Sequence, residues 1–343
     1  AQGKLWRVDA ANGAQTQIPF RAEVTQTVAA PLRFEQHLDR GRFTPKMIRD
    51  VATSPDGKTL VFHALGHLWT KALPGGAPAR LGSDETVFEY QPSFSADGTR
   101  LLYTTWSDAA QGAIHERELA SGRDRVVTAT PGFYYGPTYA RDGRRIAWSK
   151  QAGSSLTGEL NSGEQGIYVQ DLPDGTPRRV AKEGIEPQFS ADGTRVFYLT
   201  GDGSLKKKLM SVGVNGEEPR EVFDLKYVTF ATLSPDGRWV AFTELFNAYV
   251  APLPQTGGSI ELSRDTKAIP VTRVSQDVGS YLHWSGDGRA LHWMVGNRYV
   301  TRELKDAFAF VPGAPATLPK PDTLQGIEVG LSAATDAPQD VGQ

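Results

Sequence analysis

The sequence predicts an all-β fold, a six-bladed β-propeller of four-stranded antiparallel blades. The first observation is an Asp-Gly pair that recurs six times, at Asp56-Gly57, Asp97-Gly98, Asp142-Gly143, Asp192-Gly193, Asp236-Gly237 and Asp287-Gly288. Subtracting successive Asp positions gives spacings of 41, 45, 50, 44 and 51 residues, the length expected of one propeller blade.

The second observation is that the strand after each pair repeats the same pattern. The fourth residue after the Asp is aliphatic (Leu60, Leu101, Ile146, Val196, Val240, Leu291), and the sixth is aromatic (Phe62, Tyr103, Trp148, Tyr198, Phe242, Trp293). Residues two apart share a strand face, so we expect both to be buried in every blade. A β-sandwich with scattered turns needs no such register, which disfavours that alternative.

Two copies of the turn are complete, Ser54-Pro55-Asp56-Gly57-Lys58 and Ser234-Pro235-Asp236-Gly237-Arg238. Proline presets the first corner of the turn, and glycine supplies the residue with positive φ. These repeats resemble the TolB-type, WD40-like (PD40) propeller repeat, in which Ser-Pro-Asp-Gly-Lys/Arg precedes an aliphatic–aromatic strand. The other four copies lack the proline, and the copy at Asp142 also lacks the serine. The resemblance spans residues 46–310 and is specific for the fold.

Composition excludes several classes of site. The net charge of −2 and a single basic run, Lys206–Lys208, argue against a nucleic-acid surface. The absence of cysteine removes disulfides, thiolate nucleophiles and cysteine-ligated zinc sites. No window has the apolar length of a membrane span. The chain starts at Ala1 without Met, so we expect a processed or excised chain, and a periplasmic or secreted location.

The chain order gives a domain layout. Residues 1–20 read as a partial blade or as ring-closing strands, residues 21–45 as a connection, residues 46–310 as the propeller and residues 311–343 as a Pro-rich linker with one further strand. The sixth blade lacks an obvious fourth strand, a vacancy that Gln15–Phe20 could fill.

One insertion, Gln151–Gln165 in the third blade, is predicted as a surface loop, and a second insertion, Gly257–Ile269, is assigned to the fifth blade. The layout, with Ala64–Trp69, Tyr281–Gly288 and Asp306–Phe310, resembles the propeller portion of large bacterial proteins in which TolB-like repeats precede a metal-dependent amidohydrolase domain. That resemblance implies that any divalent metal, such as Zn, belongs to a downstream domain, and no cofactor is expected in this chain.

No catalytic set is visible in the sequence. The six histidines form no His-x-His pair, and there is no Gly-x-Ser-x-Gly elbow. His63 and His67 flank a short loop. We expect them to cap a hairpin by hydrogen bonding, and a metal site is the less favoured alternative. His283 and His292 lie on paired strands of the sixth blade and are expected to be cross-strand neighbours.

The remaining candidate is the central opening, because the first strand of each blade lines the axis of a propeller. Six to eight residues before the Asp of the turn, and with Asp277 just upstream, we predict a ligand-binding rim of Arg49, Asp50, Glu89, Tyr90, Tyr134, Tyr135, Glu186, Thr229, Asp277 and Tyr281. Tyrosines and acids suit a small ligand or a peptide. The alternatives are a solvated rim and an axial Ca²⁺ site.

The sequence therefore predicts a non-catalytic module for binding, substrate gating or docking. Its expected partner is a downstream catalytic domain or a protein or peptide, with no nucleic acid and no membrane span. The alternatives are a stand-alone TolB-like interaction protein and, less favoured, a propeller hydrolase with an axial metal.

Overall fold

The computed structural model describes residues 3–28, 41–151, 164–201, 206–254, 258–321 and 326–334. Almost all of the predicted surface loop Gln151–Gln165 lies outside the described residues. The chain divides into two compact units, Ala1–Gly41 with Thr335–Gln343, and Arg42–Ala334. In the first unit, strands β1 (Leu5–Val8) and β2 (Gln15–Ile18) form an antiparallel hairpin.

The second unit begins with β3 (Arg42–Phe43) and continues into six sheets, one for each Asp-Gly repeat, each built on four antiparallel strands. Blade 1 contains β4 (Arg49–Thr53), β5 (Thr59–Ala64), β6 (His67–Ala72) and β7 (Ala79–Arg80). Blade 2 contains β8 (Phe88–Phe94), β9 (Arg100–Ser107), β10 (Gln111–Glu118) and β11 (Asp124–Val126). Blade 3 contains β12 (Tyr134–Tyr139), β13 (Arg145–Lys150), β14 (Gly166–Asp171) and β15 (Arg178–Ala181).

Blade 4 contains β16 (Ile185–Phe189), β17 (Arg195–Gly201), β18 (Lys206–Gly213) and β19 (Arg220–Lys226). Blade 5 contains β20 (Val228–Leu233), β21 (Trp239–Glu244), β22 (Asn247–Pro252) and, after an intervening β23 (Ile260–Leu262), β24 (Thr272–Arg273). Blade 6 contains β25 (Ser280–Trp284), β26 (Ala290–Val295), β27 (Arg298–Glu303) and β28 (Ile327–Glu328). A short 3-10 helix, Leu304–Asp306, follows β27, and β29 (Ala333–Ala334) ends the described chain. The described residues include no helix with the length and apolarity of a membrane span.

The turn between the first and second strands is the same in all six blades. The glycine of every Asp-Gly pair has φ between +67° and +72°, a conformation that costs glycine little. In blade 1 the Ser54 hydroxyl donates to Asp56 Oδ1 at 2.6 Å and accepts the Thr59 N–H at 2.9 Å. The same Ser–Asp hydrogen bond forms in the four other blades that have the serine. In blade 3, which lacks the serine, Asp142 Oδ1 accepts the Arg144 N–H at 2.9 Å, so the aspartate holds that turn by itself.

The core is built between blades. The repeated aliphatic residue is 0% exposed in all six blades, and the repeated aromatic residue is at most 6% exposed. Among the described residues, buried hydrophobic side chains form six clusters, one at each junction between neighbouring blades. The junction of blades 6 and 1 is among them, and it packs Phe62 and Ile48 against Met294 and Tyr299. The ring is thus closed by the same packing as every other junction, and the predicted all-β, six-bladed propeller is confirmed.

Two details of the predicted layout are wrong. The fourth strand of blade 6 is β28, which pairs with β27, so Gln15–Phe20 are not needed to complete that sheet. Blade 4 has a fifth strand, because β23 from the Gly257–Ile269 insertion pairs in parallel with β19. Leu262 of β23 is 0% exposed, and this burial explains why the insertion is held against the blade.

The segment that reads as a Pro-rich linker packs on blade 6. Arg302 Nη2 donates to the Asp306 carbonyl at 2.8 Å and to the Pro319 carbonyl at 2.7 Å. Farther along, β29 pairs antiparallel with β3. The predicted domain boundaries themselves stay predictions.

Candidate functional site

Each blade's first strand carries a β-bulge near its beginning. The pairing register shifts there in all six blades. Six residues before the Asp of the turn, φ is positive in five blades, at Asp50, Gln91, Gly136, Glu186 and Tyr281, with values between +43° and +58°. Non-glycine residues rarely adopt this conformation, and bulges change the direction in which side chains project. The repeat therefore directs one residue of each of these five blades towards the axis of the ring.

The bulges surround an axial cavity of about 520 Å³ that is lined by residues from the first strands of all six blades. Five of the ten predicted rim residues line it: Asp50, Tyr135, Glu186, Thr229 and Tyr281. The structure adds residues that the prediction missed: Gln91, Gln188, Thr243, Phe246 and His283. The constant distance from the Asp-Gly turn could have identified Gln91, whereas Phe246 comes from a different loop.

Two of the predicted rim residues have structural partners outside the cavity. The Glu89 side chain is 7% exposed, and its carboxylate accepts the Leu68 N–H at 2.9 Å. The Tyr134 hydroxyl donates to the Thr130 carbonyl at 2.6 Å. Both residues precede the bulge position, where the alternation of the strand directs their side chains away from the axis.

Three more predicted residues do not line the cavity. The Tyr90 ring lies 4.9 Å from the His63 ring, centroid to centroid. Arg49 is exposed beside the bulge and does not line the cavity, although its positive charge acts to lower the pKa of Asp50. Asp277 is exposed in the loop before β25. A binding role for any of the ten residues stays a prediction.

The charged residues that line the cavity are both acids, Asp50 and Glu186. Burial raises the pKa of Glu186 to about 7, although its hydrogen bond with Tyr135 acts in the opposite direction. Burial also raises the pKa of Asp50. Conversely, burial lowers the pKa of His283 to about 4, so this imidazole is neutral at pH 7. The cavity consequently has acidic character, and the charge of Glu186 changes near neutral pH.

Side chains around the cavity also connect neighbouring blades. Asp50 Oδ2 accepts the Gln91 N–H of blade 2 at 3.4 Å, and Gln91 Oε1 accepts the Gly136 N–H of blade 3 at 3.1 Å. Gln188 of blade 4 bridges to blade 5, where Nε2 donates to the Ala231 carbonyl and Oε1 accepts the Leu233 N–H, both at 2.8 Å. The cavity walls are therefore fixed in position by hydrogen bonds across blade junctions.

We expect the substitution Gln188→Ala to lower the free energy of unfolding by about 1–3 kcal/mol, because it leaves a backbone N–H and a carbonyl unpaired at the blade 4–5 junction. Urea denaturation followed by tryptophan fluorescence measures this change. Gln276→Ala provides the control, since Gln276 is exposed and its loss should cost less than about 0.5 kcal/mol. Equal effects of the two substitutions would contradict the bridging role of Gln188.

The end of the ring at which the first strands begin carries an unusual number of exposed apolar side chains. We name this set the apolar collar: Met47, Leu65, Phe88, Phe133, Tyr227, Leu245, Phe246 and Val278. These residues precede or begin a first strand, or lie in the turn between a second and a third strand, and antiparallel pairing places both positions at one end of a blade. Phe246 and Val278 also line the axial cavity, so the collar lies at the end of the ring where this cavity opens.

The opposite end of the ring differs from the collar. It is formed by the Asp-Gly turns, and Arg141 Nη1 of blade 3 donates to the Pro235 carbonyl of blade 5 at 2.7 Å. Two exposed large apolar residues of the described Arg42–Ala334 unit, Val126 and Phe310, lie outside the collar. The two ends of the propeller thus present different chemistry, and the apolar surface is concentrated at one of them.

The described residues contain no group of three or more His, Cys, Asp or Glu side chains placed to hold a metal ion. His63 and His67 flank the β5–β6 turn, and His67 Nε2 lies 3.5 Å from a carboxylate oxygen of Glu85. His283 and His292 are cross-strand neighbours, as predicted, with ring centroids 5.3 Å apart.

Comparison with known proteins gives relatives at low identity. No family model matches the chain. The chain is 25% identical over 206 residues to an uncharacterized protein of Agrobacterium fabrum, a match that covers 58% of this chain and 66% of that protein. It is 26% identical over 141 residues to a protein TolB homolog of Chlorobium luteolum, covering 39% of this chain and 28% of that protein. The matches therefore span only part of each relative's own length.

Among solved structures, the putative TolB from Agrobacterium tumefaciens superposes with a TM-score of 0.54 at 20% identity, covering 71% of this chain and 88% of that structure. The chain is a TolB-like propeller in its fold. At this identity the similarity to a solved structure establishes the architecture alone.

Proposed function

We propose that this TolB-like propeller is a non-catalytic binding module that docks a protein partner on the apolar collar and receives a protruding segment of that partner in the axial cavity. The observation that carries the proposal is the concentration of exposed apolar side chains at the end of the ring where the cavity opens. Contiguous exposed apolar surface rimmed by polar residues is typical of protein-binding sites.

The composition of the collar supports a protein partner in particular. Phe88, Phe133, Tyr227 and Phe246 are aromatic, and between 39% and 74% of each side chain is exposed. Aromatic residues and methionine are enriched at protein interfaces, where burial of a few such side chains supplies most of the binding free energy. The cavity that opens at this end of the ring offers hydroxyl, amide and carboxyl groups, which can select the inserted segment.

The resemblance to amidohydrolase-associated propellers extends this proposal. On that basis we propose that the partner is a metal-dependent amidohydrolase domain downstream of the propeller, whose substrate entry the propeller would restrict. The metal would belong to that domain, and both would be periplasmic or secreted. An interaction with a separate protein is the alternative, and the reading frame after Gln343 discriminates between the two.

A photo-crosslinking experiment tests the docking surface. A benzoylphenylalanine placed at Phe88 or Phe246 should yield the same crosslinked protein, because both positions belong to the collar. The matched control is the same group at Phe310, which is 60% exposed and lies outside the collar. Crosslinks from position 310 alone, or an equal yield at all three positions, would contradict docking on the collar.

A further inference from the structure

We propose that the axial cavity binds a cationic group of the docked partner, a Lys or Arg side chain or a free amino group, between the carboxyl groups of Asp50 and Glu186. This inference rests on the proposed docking function and names the chemistry of the inserted segment. It is carried by the charges that line the cavity, by the aromatic rings beside them and by the space in front of one carboxylate.

The cavity lining carries negative charge without a basic residue. Of the twenty-two residues that line it, Asp50 and Glu186 are the charged ones, and none is Lys or Arg. Two cations lie nearby, outside the lining. Lys207, whose Nζ donates to the Thr229 carbonyl at 3.0 Å, acts on Glu186 through its charge, and the exposed Arg49, with Nη2 3.5 Å from Met47 Sδ, acts on Asp50. A cation that enters the cavity therefore meets two carboxyl groups whose desolvation it would offset.

The surroundings of the two carboxyl groups favour an organic cation. Tyr135 is hydrogen-bonded to Glu186, and Tyr281 also lines the cavity. Faces of tyrosine rings attract ammonium and guanidinium groups. A Cβ at position 136 would lie 3.6 Å from Glu186 Oε2, in van der Waals contact with it, so the glycine leaves that much space beside the carboxylate.

A metal ion would be held less well at the same place. Calcium usually takes six to eight oxygen ligands, whereas two carboxyl groups line this cavity and the described residues show no cluster suited to a metal. An ammonium or guanidinium group needs only a few acceptors, and these are present. The geometry therefore favours a basic side chain over a bare ion.

Small probes test this inference directly. We expect n-butylammonium and n-butylguanidinium to bind the purified protein saturably with a Kd of about 1–10 mM, as measured by NMR titration, because so small a ligand gains little contact area. The neutral probe n-butanol and the anion n-butyrate, which have the same apolar chain, should bind at least about tenfold more weakly.

Variants assign the binding to the two carboxyl groups. We expect Glu186→Gln and Asp50→Asn each to weaken binding of both cations about tenfold, because each substitution removes one charge-assisted hydrogen bond. Asp108→Asn removes the same charge from the exposed β9–β10 turn at the same end of the ring, and it should leave the Kd unchanged. Thermal unfolding curves show whether each variant is folded under the conditions of the titration.

The pH dependence supplies a second readout. Because the pKa of Glu186 is about 7, its carboxyl group ionises between pH 6 and pH 8, and affinity for the cations should rise over this range. The groups that influence Glu186 are Tyr135, Asp50 and Lys207, and the rise should disappear in Glu186→Gln.

Several results would overturn the inference. These are equal binding of butyrate and butylammonium, no saturable binding of either cation, or unchanged affinity in both cavity variants. Calcium that binds in the micromolar range and is lost in Glu186→Gln would indicate a metal site instead. If crosslinking at Phe246 and Phe88 persists while the cation probes fail, the docking proposal stands and only the cationic segment is wrong.

Discussion

Replacement of Phe242 by Ala is expected to lower the free energy of unfolding by about 3–5 kcal/mol, the cost of truncating a fully buried aromatic side chain. Phe242 is 0% exposed and belongs to the cluster between blades 4 and 5, where its ring lies 5.4 Å from the Tyr249 ring. The substitution leaves a cavity at a junction, and the surrounding sheets can close it only partly.

The control for this prediction lies four residues along the chain. Phe246 is 74% exposed, so Phe246→Ala should change the free energy of unfolding by less than about 0.5 kcal/mol. Urea denaturation of both variants under the same conditions gives the comparison. A loss below 1 kcal/mol for Phe242→Ala would show that the repeated aromatic position does not hold the blades together.

Acid is expected to destabilise the junction of blades 6 and 1 through His283 and His292. Burial lowers the pKa of His283 to about 4, and burial together with the charge of His283 lowers that of His292 to about 3. His283 Nε2 lies 2.8 Å from Thr53 Oγ1 of blade 1, and Thr53 Oγ1 is also 2.8 Å from the Tyr299 hydroxyl. Protonation of the two histidines would therefore place two positive charges inside this network.

The direction in which stability changes with pH follows from the number of protons that the folded and unfolded chains bind. Unfolded histidine has a pKa near 6.5, so below that pH the unfolded chain binds protons that the folded chain does not. The stability that the histidines contribute is complete above pH 6.5 and falls as the pH is lowered towards 4. At pH 5 the expected loss is about 2 kcal/mol for each histidine.

The acids of the cavity act in the opposite direction, so the measurement must isolate the histidines. Because burial raises the pKa of Glu186 and Asp50, these groups contribute stability that is present at low pH and is lost as pH rises through the folded pKa. The measurement is urea denaturation of the native protein and of the double variant His283→Gln/His292→Gln between pH 7.5 and pH 5. The stability of the native protein relative to the variant should fall by about 4 kcal/mol. Parallel curves would contradict the prediction.

Much of the fold could be predicted because the Asp-Gly turns and the strand after them depend on local chemistry. Glycine at positive φ and an aliphatic–aromatic pair on one strand face are visible in the sequence, and the structure confirms both at every repeat. The fourth strand of blade 6 could not be predicted in the same way. Ile327–Glu328 is a two-residue strand, and its pairing depends on the path of the chain after blade 6.

The site was harder to predict for a related reason. A β-bulge changes the side-chain alternation, so the ordinary alternation of a strand does not show which of two adjacent residues faces the axis. Tyr134 and Tyr135 illustrate this, because only Tyr135 lines the cavity. The collar escaped prediction altogether, since Phe246 and Phe88 look like ordinary core residues until the ends of the strands are placed in space.

The pairing of β3 with β29 has a mechanical consequence. Arg42 and Ala334 are direct partners in this two-residue ladder, so the polypeptide enters and leaves the ring at neighbouring points. A tensile force applied at these two residues would first break the backbone hydrogen bonds between β3 and β29. The six sheets would bear no load until that pairing had parted.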